Sequence, residues 1–364
     1  HEIPIIFGNY TTLDEREGEC TTPMLSGESG NCQVGDYMTH PAFLSIPSIG
    51  FWMGKFETGY DGATSVKEAQ QNVIDSSKVI IKPNTYIWTW VQSASAFYTS
   101  FGYKRELDSH MIKNTEWGAV AYLSQSKYGS ATNIRLNNNS LLITGYSALN
   151  EPTCGVTGIN EECNIIEAVL PGNNGEYSYR YNTSIGYLAT TTGNITGIYD
   201  MAGGSHEYVL SFMKNGEGTI LVGAKLPEYV TGFAGLTGNS GTVEGLDLPA
   251  GRYYDTYLYS SNVNNHTNRI LGDATGEMGP FETPELSSRW MFGSWYGDRA
   301  SGFSSPGAVT MARGGNLLND YSIGTLSGIF AFGALEGAAI QDRGFRIILT
   351  PTGGSVFLYF VCFF

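Results

Sequence analysis

The chain has 364 residues, of which 41% are hydrophobic, 13% aromatic and 15% charged, and this composition excludes an intrinsically disordered chain. Its 34 acidic residues outnumber its 20 basic ones and give a formal net charge of −14. Nucleic acid and anionic membrane surfaces are recognised by clustered Lys and Arg, so neither is predicted as a partner.

The first 42 residues form an acidic, turn-rich segment with little periodicity. The chain has five cysteines, at Cys20, Cys32, Cys154, Cys163 and Cys362. Their spacing does not match a zinc site, and no His stands beside them to complete four ligands. We therefore predict two short-loop disulfides, Cys20–Cys32 and Cys154–Cys163, in an oxidising compartment. The alternative is that these are free thiols of a cytosolic protein, and Cys362 is left over in both cases.

Two helices are predicted in the first third of the chain. A strand within residues 50–58 precedes them. Apolar residues at helical spacing then predict a helix over 91–101. Asn114, Thr115 and Glu116 are typical of a second helix start. The buried side of that helix is expected to carry Trp117, Val120 and Ala121.

Beyond residue 126, short β-like runs are separated by long loops rich in Gly, Asn and Thr. These runs are Ser140–Thr144, Tyr177–Tyr181, Thr219–Val222 and Arg346–Leu349. Few helices, small sheets and long irregular loops together indicate the α+β class.

The last ten residues, Ser355–Phe364, are strongly apolar, but they supply only half of the ~20 residues that a membrane span needs. We interpret them as a last strand or an unstructured end, and the alternative is an exposed β-edge that pairs with another subunit. No membrane span is predicted anywhere in the sequence. Because the chain begins at His1, a signal or anchor segment is expected to have been removed or left out.

Motifs for catalysis are missing from the sequence. It has no phosphate-binding loop, no dinucleotide-binding glycine pattern and no G-x-S-x-G elbow. His206 and Glu207 begin like a zinc-protease motif, but position 210 is Leu, so the second His ligand is lacking. The chain is therefore predicted not to be an enzyme.

One segment has donors suited to a metal. In residues 200–207 the carboxylates of Asp200 and Glu207 and the main-chain carbonyls of Gly203 and Ser205 are close in sequence on a glycine-bearing turn. Hard oxygen donors with irregular geometry suit Ca²⁺. On spacing alone, the alternative is a simple turn capped by Asp200.

The same segment carries a family resemblance. Residues 197–209, G-I-Y-D-M-A-G-G-S-H-E-Y-V, resemble the signature of the formylglycine-generating-enzyme (sulfatase-modifying factor) family, G-L-Y-D-M-x-G-N-V-W-E-W. Three further blocks follow the family's order: Phe51–Thr58, Asn114–Tyr122, and the closing pair Arg313–Gly315 with Arg343–Arg346. Together the four blocks span about residues 43–350.

The resemblance implies a C-type-lectin-like fold, with a small twisted sheet, two flanking helices and long irregular loops. It implies a structural calcium ion on Asp200, Gly203, Ser205 and Glu207. It also divides the chain into residues 1–42, a family-like domain over 43–350, and an apolar tail over 351–364. The family enzymes hold copper with two cysteines before the G-F-R element, and residues 327–343 contain none. The resemblance therefore implies a non-catalytic member.

Non-catalytic proteins of this fold include the variable ligand-binding proteins of diversity-generating retroelements, and the layout is also similar to bacterial surface or pilin-like proteins. In the former, the binding surface lies between the R-G-G and G-F-R elements. The polar candidates in that interval are Asn316, Asn319, Asp320, Tyr321, Ser322, Glu336 and Gln341. Phe330 and Phe332 are interpreted as core.

Three functions from different classes follow. The first is a secreted or surface-displayed, adhesin-like protein that binds a glycan or protein through this C-terminal face. The second is a structural subunit of an extracellular filament, pilus or phage particle, which self-assembles through its apolar terminal segments. The third is a residual formylglycine-type oxidase. The first two place the protein outside the cell, on a cell surface or on a virion.

Overall fold

The computed structural model describes residues 51–123, 142–146, 179–182, 190–192, 197–202, 204–217, 249–258, 273–275, 290–292, 299–301, 310–315, 328–335, 337–350 and 361–363, together with two short strands at 5–6 and 38–39. All structural statements below concern these residues. No helix among them is long and apolar enough to cross a membrane.

The described residues form three α-helices: α1 (Val66–Ala69), α2 (Ser93–Tyr103) and α3 (Asn114–Leu123). Short 3₁₀ turns follow at Ser76–Lys78, Arg105–Leu107 and Gly251–Tyr253.

The start of α3 is capped from two sides. Within the chain segment, the Glu116 carboxylate accepts a hydrogen bond from the Lys113 N–H at 2.8 Å, as the glutamate of a capping box does. From far away in sequence, Asp255 accepts from the Thr115 N–H at 2.8 Å and from the Thr115 hydroxyl at 3.2 Å. These carboxylates satisfy N–H groups that the first helical turn leaves unpaired.

Eighteen strands are described. In chain order they are β1 (Ile5–Ile6), β2 (Met38–Thr39), β3 (Phe51–Met53), β4 (Gly59–Tyr60), β5 (Val79–Ile80), β6 (His110–Met111), β7 (Leu142–Ile143), β8 (Tyr179–Arg180), β9 (His206–Val209), β10 (Ser211–Lys214), β11 (Asp255–Leu258), β12 (Trp290–Phe292), β13 (Arg299–Ser301), β14 (Thr310–Gly314), β15 (Gly328–Leu335), β16 (Arg343–Phe345), β17 (Ile347–Leu349) and β18 (Val361–Phe363).

The largest sheet has six strands in the order β12-β13-β15-β14-β9-β16. Its central strands β9, β14 and β15 run antiparallel to their neighbours in that group, and β16 pairs with β9 in parallel. In this register Glu207 lies opposite Arg313 on one side and Gly344 on the other. Residues 197–209 and both parts of the closing pair thus contribute neighbouring strands.

A second sheet of four strands has the order β18-β3-β17-β6. Strand β17 follows β16 after one residue, Arg346, so the chain passes from the six-stranded to the four-stranded sheet at that position. Strand β18, from the apolar tail, pairs in parallel with the edge of β3. Four two-stranded pairs, β1-β2, β4-β5, β7-β8 and β10-β11, complete the described sheets.

The core is divided into two main clusters. One surrounds Trp117 of α3 and includes Phe330 and Phe332 of β15, each only 4% exposed. The other surrounds Trp88, which precedes α2, and Phe97 of α2. It also includes Phe345 of β16. Burial of large aromatic side chains in both clusters contributes most of the hydrophobic stabilisation.

The predicted α+β class is confirmed. The second predicted helix begins at Asn114 as expected and buries Trp117, Val120 and Ala121. The first begins two residues later than predicted and extends two residues further, and the core interpretation of Phe330 and Phe332 is confirmed.

The predicted runs at 140–144, 177–181 and 346–349 contain shorter strands. Thr219–Val222 and the cysteines Cys20, Cys32, Cys154 and Cys163 lie outside the described residues.

Gly118 provides a test of how α3 packs. A Cβ at this position would lie 2.5 Å from the Cα of Asp273, in contact with backbone that cannot rotate away. We expect Gly118→Ala to lower the free energy of unfolding by about 1–3 kcal/mol through overpacking, although Ala favours a helix. A Cβ at Gly216 would meet nothing within 4 Å, so Gly216→Ala is the matched control. Urea denaturation of both variants checks this, and equal stabilities would contradict the packing described.

Candidate functional site

The predicted calcium segment meets a buried arginine. Arg346 and Glu207 are both fully buried. The Arg346 Nε donates to Glu207 Oε2 at 2.9 Å, and its Nη2 donates to Glu207 Oε1. The same guanidinium donates from Nη1 to the carbonyl of Gly54 at 2.8 Å and from Nη2 to that of Tyr199 at 2.9 Å. One side chain therefore joins β9, the end of β3 and the segment before β9.

Glu57 is a second carboxylate in this cluster, and sequence analysis gave it no role. Its Oε1 accepts a hydrogen bond from the Ser205 N–H at 2.9 Å. A Cβ on Gly204 would lie 2.5 Å from that oxygen, and the φ of Gly204 is +71°, so a glycine is required here for two reasons. Burial raises the pKa of Glu57 well above its ordinary 4.5, and the negative charges of Glu207 and Asp200 raise it further. One arginine faces several carboxyl groups, and burial raises the pKa of both Glu57 and Glu207.

This arrangement bears on the predicted calcium ligands. Asp200 is 5% exposed with a φ of 63°, and Ser205 is buried. Glu207 already has a cation as its partner, which makes its carboxylate a poor ligand for a second cation. Across the described part of the chain, no group of three or more His, Cys, Asp or Glu side chains is placed to hold a metal ion. Gly203 lies outside the described residues, and calcium on Asp200, Gly203, Ser205 and Glu207 stays a prediction.

A second buried polar network holds Arg313, the arginine of the R-G-G element. Arg313 is fully buried and donates from Nη2 to the carbonyl of Ala274 at 2.8 Å. Its guanidinium lies over the rings of Trp117, at 5.8 Å, and Phe332, at 5.5 Å. These contacts hold the end of β14 against α3 and against residues 273–275.

The segment that contains Ala274 is itself tied to α3. Asn114 Nδ2 donates to the Tyr257 hydroxyl at 2.6 Å, and this hydroxyl donates to Asp273 Oδ2 at 2.6 Å. Thr275 completes the chain by donating its N–H to Asp273 Oδ1 at 2.9 Å. A connected network of this kind holds a unique arrangement because each buried polar group depends on the next.

The predicted binding residues divide between the two ends of β15. The interval with Asn316, Asn319, Asp320, Tyr321 and Ser322 lies outside the described residues, and so does Glu336. The first group is bounded by Gly315, after β14, and by Gly328, at the start of β15. Gln341 follows the other end of β15. Eight residues of strand extend roughly 25 Å. The described residues that flank the first group and those that flank Gln341 are therefore well separated.

Gln341 lies beside an exposed tryptophan that the sequence did not single out. The Trp90 N–H donates to the carbonyl of Ile340 at 3.1 Å, and the Ser93 N–H donates to that of Gly337 at 3.0 Å. The connection from β15 to β16 thus packs against the start of α2. Trp90 is 40% exposed and has a φ of 58°. A left-handed backbone costs a non-glycine residue about 1–2 kcal/mol, and strain of this kind is concentrated at functional sites.

Two signals in the sequence bear on these missed residues. Glu57 is the acidic residue of the block Phe51–Thr58, in which Lys55 is the other charged residue, and an acid in a mainly apolar block indicates a buried partner. Trp90 continues an alternation with Tyr86 and Trp88, and a regular strand would place all three on one face. The positive φ of Trp90 breaks that pattern, with Trp88 fully buried and Trp90 exposed. No local sequence pattern predicts this.

Compared with models of known protein families, the chain matches none, and compared with curated proteins it shows no significant match. The fold and the site are therefore the basis for inferring function.

The Arg346–Glu207 pair generates the first prediction for this site. Arg346→Met should cost about 3–5 kcal/mol in unfolding free energy, because it leaves Glu207 buried without its cation. Arg252→Met is the matched control, since Arg252 pairs with Asp108 while its side chain is 66% exposed, and it should cost about 1 kcal/mol or less.

The double variant Arg346→Met/Glu207→Leu should recover part of the loss, because no charge is then orphaned. Chemical denaturation measures all three variants. A loss for Arg346→Met no larger than that for Arg252→Met would contradict the buried ion pair.

The raised pKa of Glu57 predicts a pH dependence. The folded pKa lies above the unfolded value of 4.5, so the native state holds more protons, and stability falls as the pH rises above 4.5. One such proton contributes a slope of up to about 1.4 kcal/mol per pH unit. Glu57→Gln should remove this contribution. The unfolding free energy of the variant, relative to that of the wild-type chain, should therefore increase from about pH 5 to about pH 8.

Unfolding free energies measured across that pH range check the expectation. Glu217→Gln, at an exposed position after β10, serves as the control and should follow the wild-type profile. A parallel profile for Glu57→Gln would mean that Glu57 is ionised in the folded protein.

Proposed function

We propose that this chain is a secreted or surface-displayed, non-catalytic binding protein with a C-type-lectin-like fold, which recognises a glycan or protein ligand through the loops around its closing strands. The resemblance of four ordered sequence blocks to the formylglycine-generating-enzyme family supports this fold. So do two helices and a sheet in which residues 197–209 and the closing pair contribute neighbouring strands.

The observation that carries the proposal is the burial of both closing arginines. Arg313 precedes the candidate interval and Arg346 follows it, and each is 0% exposed with donors bound to distant parts of the chain. Side chains buried this way serve as anchors and do not themselves reach a ligand. The proposal assigns ligand contacts to the polar residues between these anchors, because binding residues are commonly carried on a rigid scaffold.

Rigid anchors lower the cost of binding, since less freedom is lost when the ligand orders the loops. The candidate interval contains Asn316, Asn319, Asp320, Tyr321 and Ser322. Tyr, Asn and Ser are the residues that give antibody loops adaptable contacts at low entropic cost. This composition supports recognition of a ligand, whereas a thiolate pair of the kind that the oxidases need is missing from residues 327–343.

One observation favours the structural-subunit alternative. Strand β18 adds only three residues to the edge of β3, in parallel. A strand of the same sequence from a neighbouring copy would make the same backbone hydrogen bonds, which is how β-strand addition joins subunits.

Electron microscopy of the purified chain separates the two functions, because a binding protein gives discrete particles and a subunit of this kind gives filaments.

The binding proposal predicts the effect of changing the first loop. The double variant Asn319→Ala/Tyr321→Ala should lower ligand affinity by about tenfold or more, with an unchanged unfolding midpoint. Leu258→Ala changes a residue of β11 that is 48% exposed and should leave binding unaffected. The labelled chain is screened against a glycan array and a protein array, and affinities of the hits are compared among variants. Binding retained by the double variant would remove this loop from the site.

A further inference from the structure

We propose that the surface around Trp90 is a subsite for a neutral sugar, with the indole ring as its floor and side-chain amides as its rim. This inference rests on the proposed binding function and assigns a ligand class to it. We call this surface the Trp90 shelf, and it consists of Trp90, Asn72, Gln92 and Gln341 with the apolar neighbours Val73 and Ile74.

The backbone holds the indole in place on the surface. Trp90 lies between Trp88 and Val91, both fully buried, and its own N–H is bound to the carbonyl of Ile340. The left-handed backbone directs this one side chain of the run outward, where it is 40% exposed. An exposed aromatic ring held by strained backbone is arranged before any ligand arrives, so little freedom is lost on binding.

Residues with amide side chains lie near Trp90 along the neighbouring backbone. The Asn72 Oδ1 accepts a hydrogen bond from the Gln92 N–H at 3.0 Å, and the Gln71 N–H donates to the carbonyl of Thr89 at 3.0 Å. The segment after α1 therefore runs along the residues before α2, and Gln341 approaches from the β15–β16 connection. An amide both donates and accepts hydrogen bonds, as sugar hydroxyl groups do.

The character of the shelf favours a sugar over other ligands. None of its six residues carries a charge, although the whole chain has a net charge of −14, so the six side chains themselves offer an ionic ligand no counter-charge. A pyranose has one face of C–H groups, which carry slight positive charge and pack on the negative face of an indole. Its hydroxyl rim matches the amides.

Val73 and Ile74, at 39% and 60% exposure, directly follow Asn72 in the chain, and the proposal assigns them to a second sugar unit. The shelf offers one aromatic ring and two aliphatic side chains, which is small beside the roughly 800 Å² per partner of a stable protein interface. This size favours an oligosaccharide of a few units over a protein partner.

The test compares variants of the full chain on an array of neutral and acidic glycans, followed by calorimetry on the best neutral oligosaccharide. Trp90→Ala should weaken binding by about thirtyfold, as the loss of a central aromatic contact does, and Trp90→Tyr should restore most of it. Trp52→Ala is the control, because Trp52 is 39% exposed but lies on β3. It should bind like the wild-type chain.

Trp90→Gly separates binding from folding. It lacks the indole but relieves the left-handed backbone, so its unfolding midpoint should equal or exceed that of Trp90→Ala, while its binding is equally weak. A preference for acidic glycans, hits on the protein array alone, or binding that survives Trp90→Ala would each overturn the sugar assignment. If binding then still depends on Asn319 and Tyr321, the proposed function stands without this subsite, and if no array shows binding, both fail.

Discussion

The fold depends on a single ionic contact, the pairing of Arg346 with Glu207 inside the protein. Moving both charges out of water is expensive, and a well-packed apolar pair would be at least as stable. The pair instead contributes to a specific arrangement of the strands. The guanidinium satisfies the carboxylate and the carbonyls of Gly54 and Tyr199 at once. A fold that placed Arg346 elsewhere would leave several buried polar groups without hydrogen bonds. This favours the observed arrangement of the two sheets over others.

Arg313 and Arg346 are inaccessible and hold the scaffold. The proposed function assigns recognition to polar residues that lie between them in the sequence. Trp90 is exposed and has a left-handed backbone. Proteins commonly give up some stability at the positions that bind ligands, and we propose that Trp90 is one such position.

Local patterns predicted the parts of the fold that are locally determined. The helix start at Asn114 follows from its capping residues and from the spacing of Trp117 and Val120, and the α+β class follows from the many short strands. The site was less accessible to prediction. Local spacing predicted Glu207 as a calcium ligand and could not predict its partner Arg346, which lies 139 residues away. Nor could it predict that Glu57 accepts a hydrogen bond from Ser205, 148 residues away. The direction of the Trp90 ring depends on a dihedral angle set by packing.

The long separation between the two ends of the Arg346 contacts has a consequence for biosynthesis. Gly54 accepts its hydrogen bond from a residue 292 positions later, and β3 pairs with β17, which follows that residue directly. Such non-local pairing forms slowly, since a long loop must close first. Strand β3 therefore emerges from the ribosome long before its partner β17 is translated. Unpaired strands of this kind are prone to aggregation while the chain is incomplete.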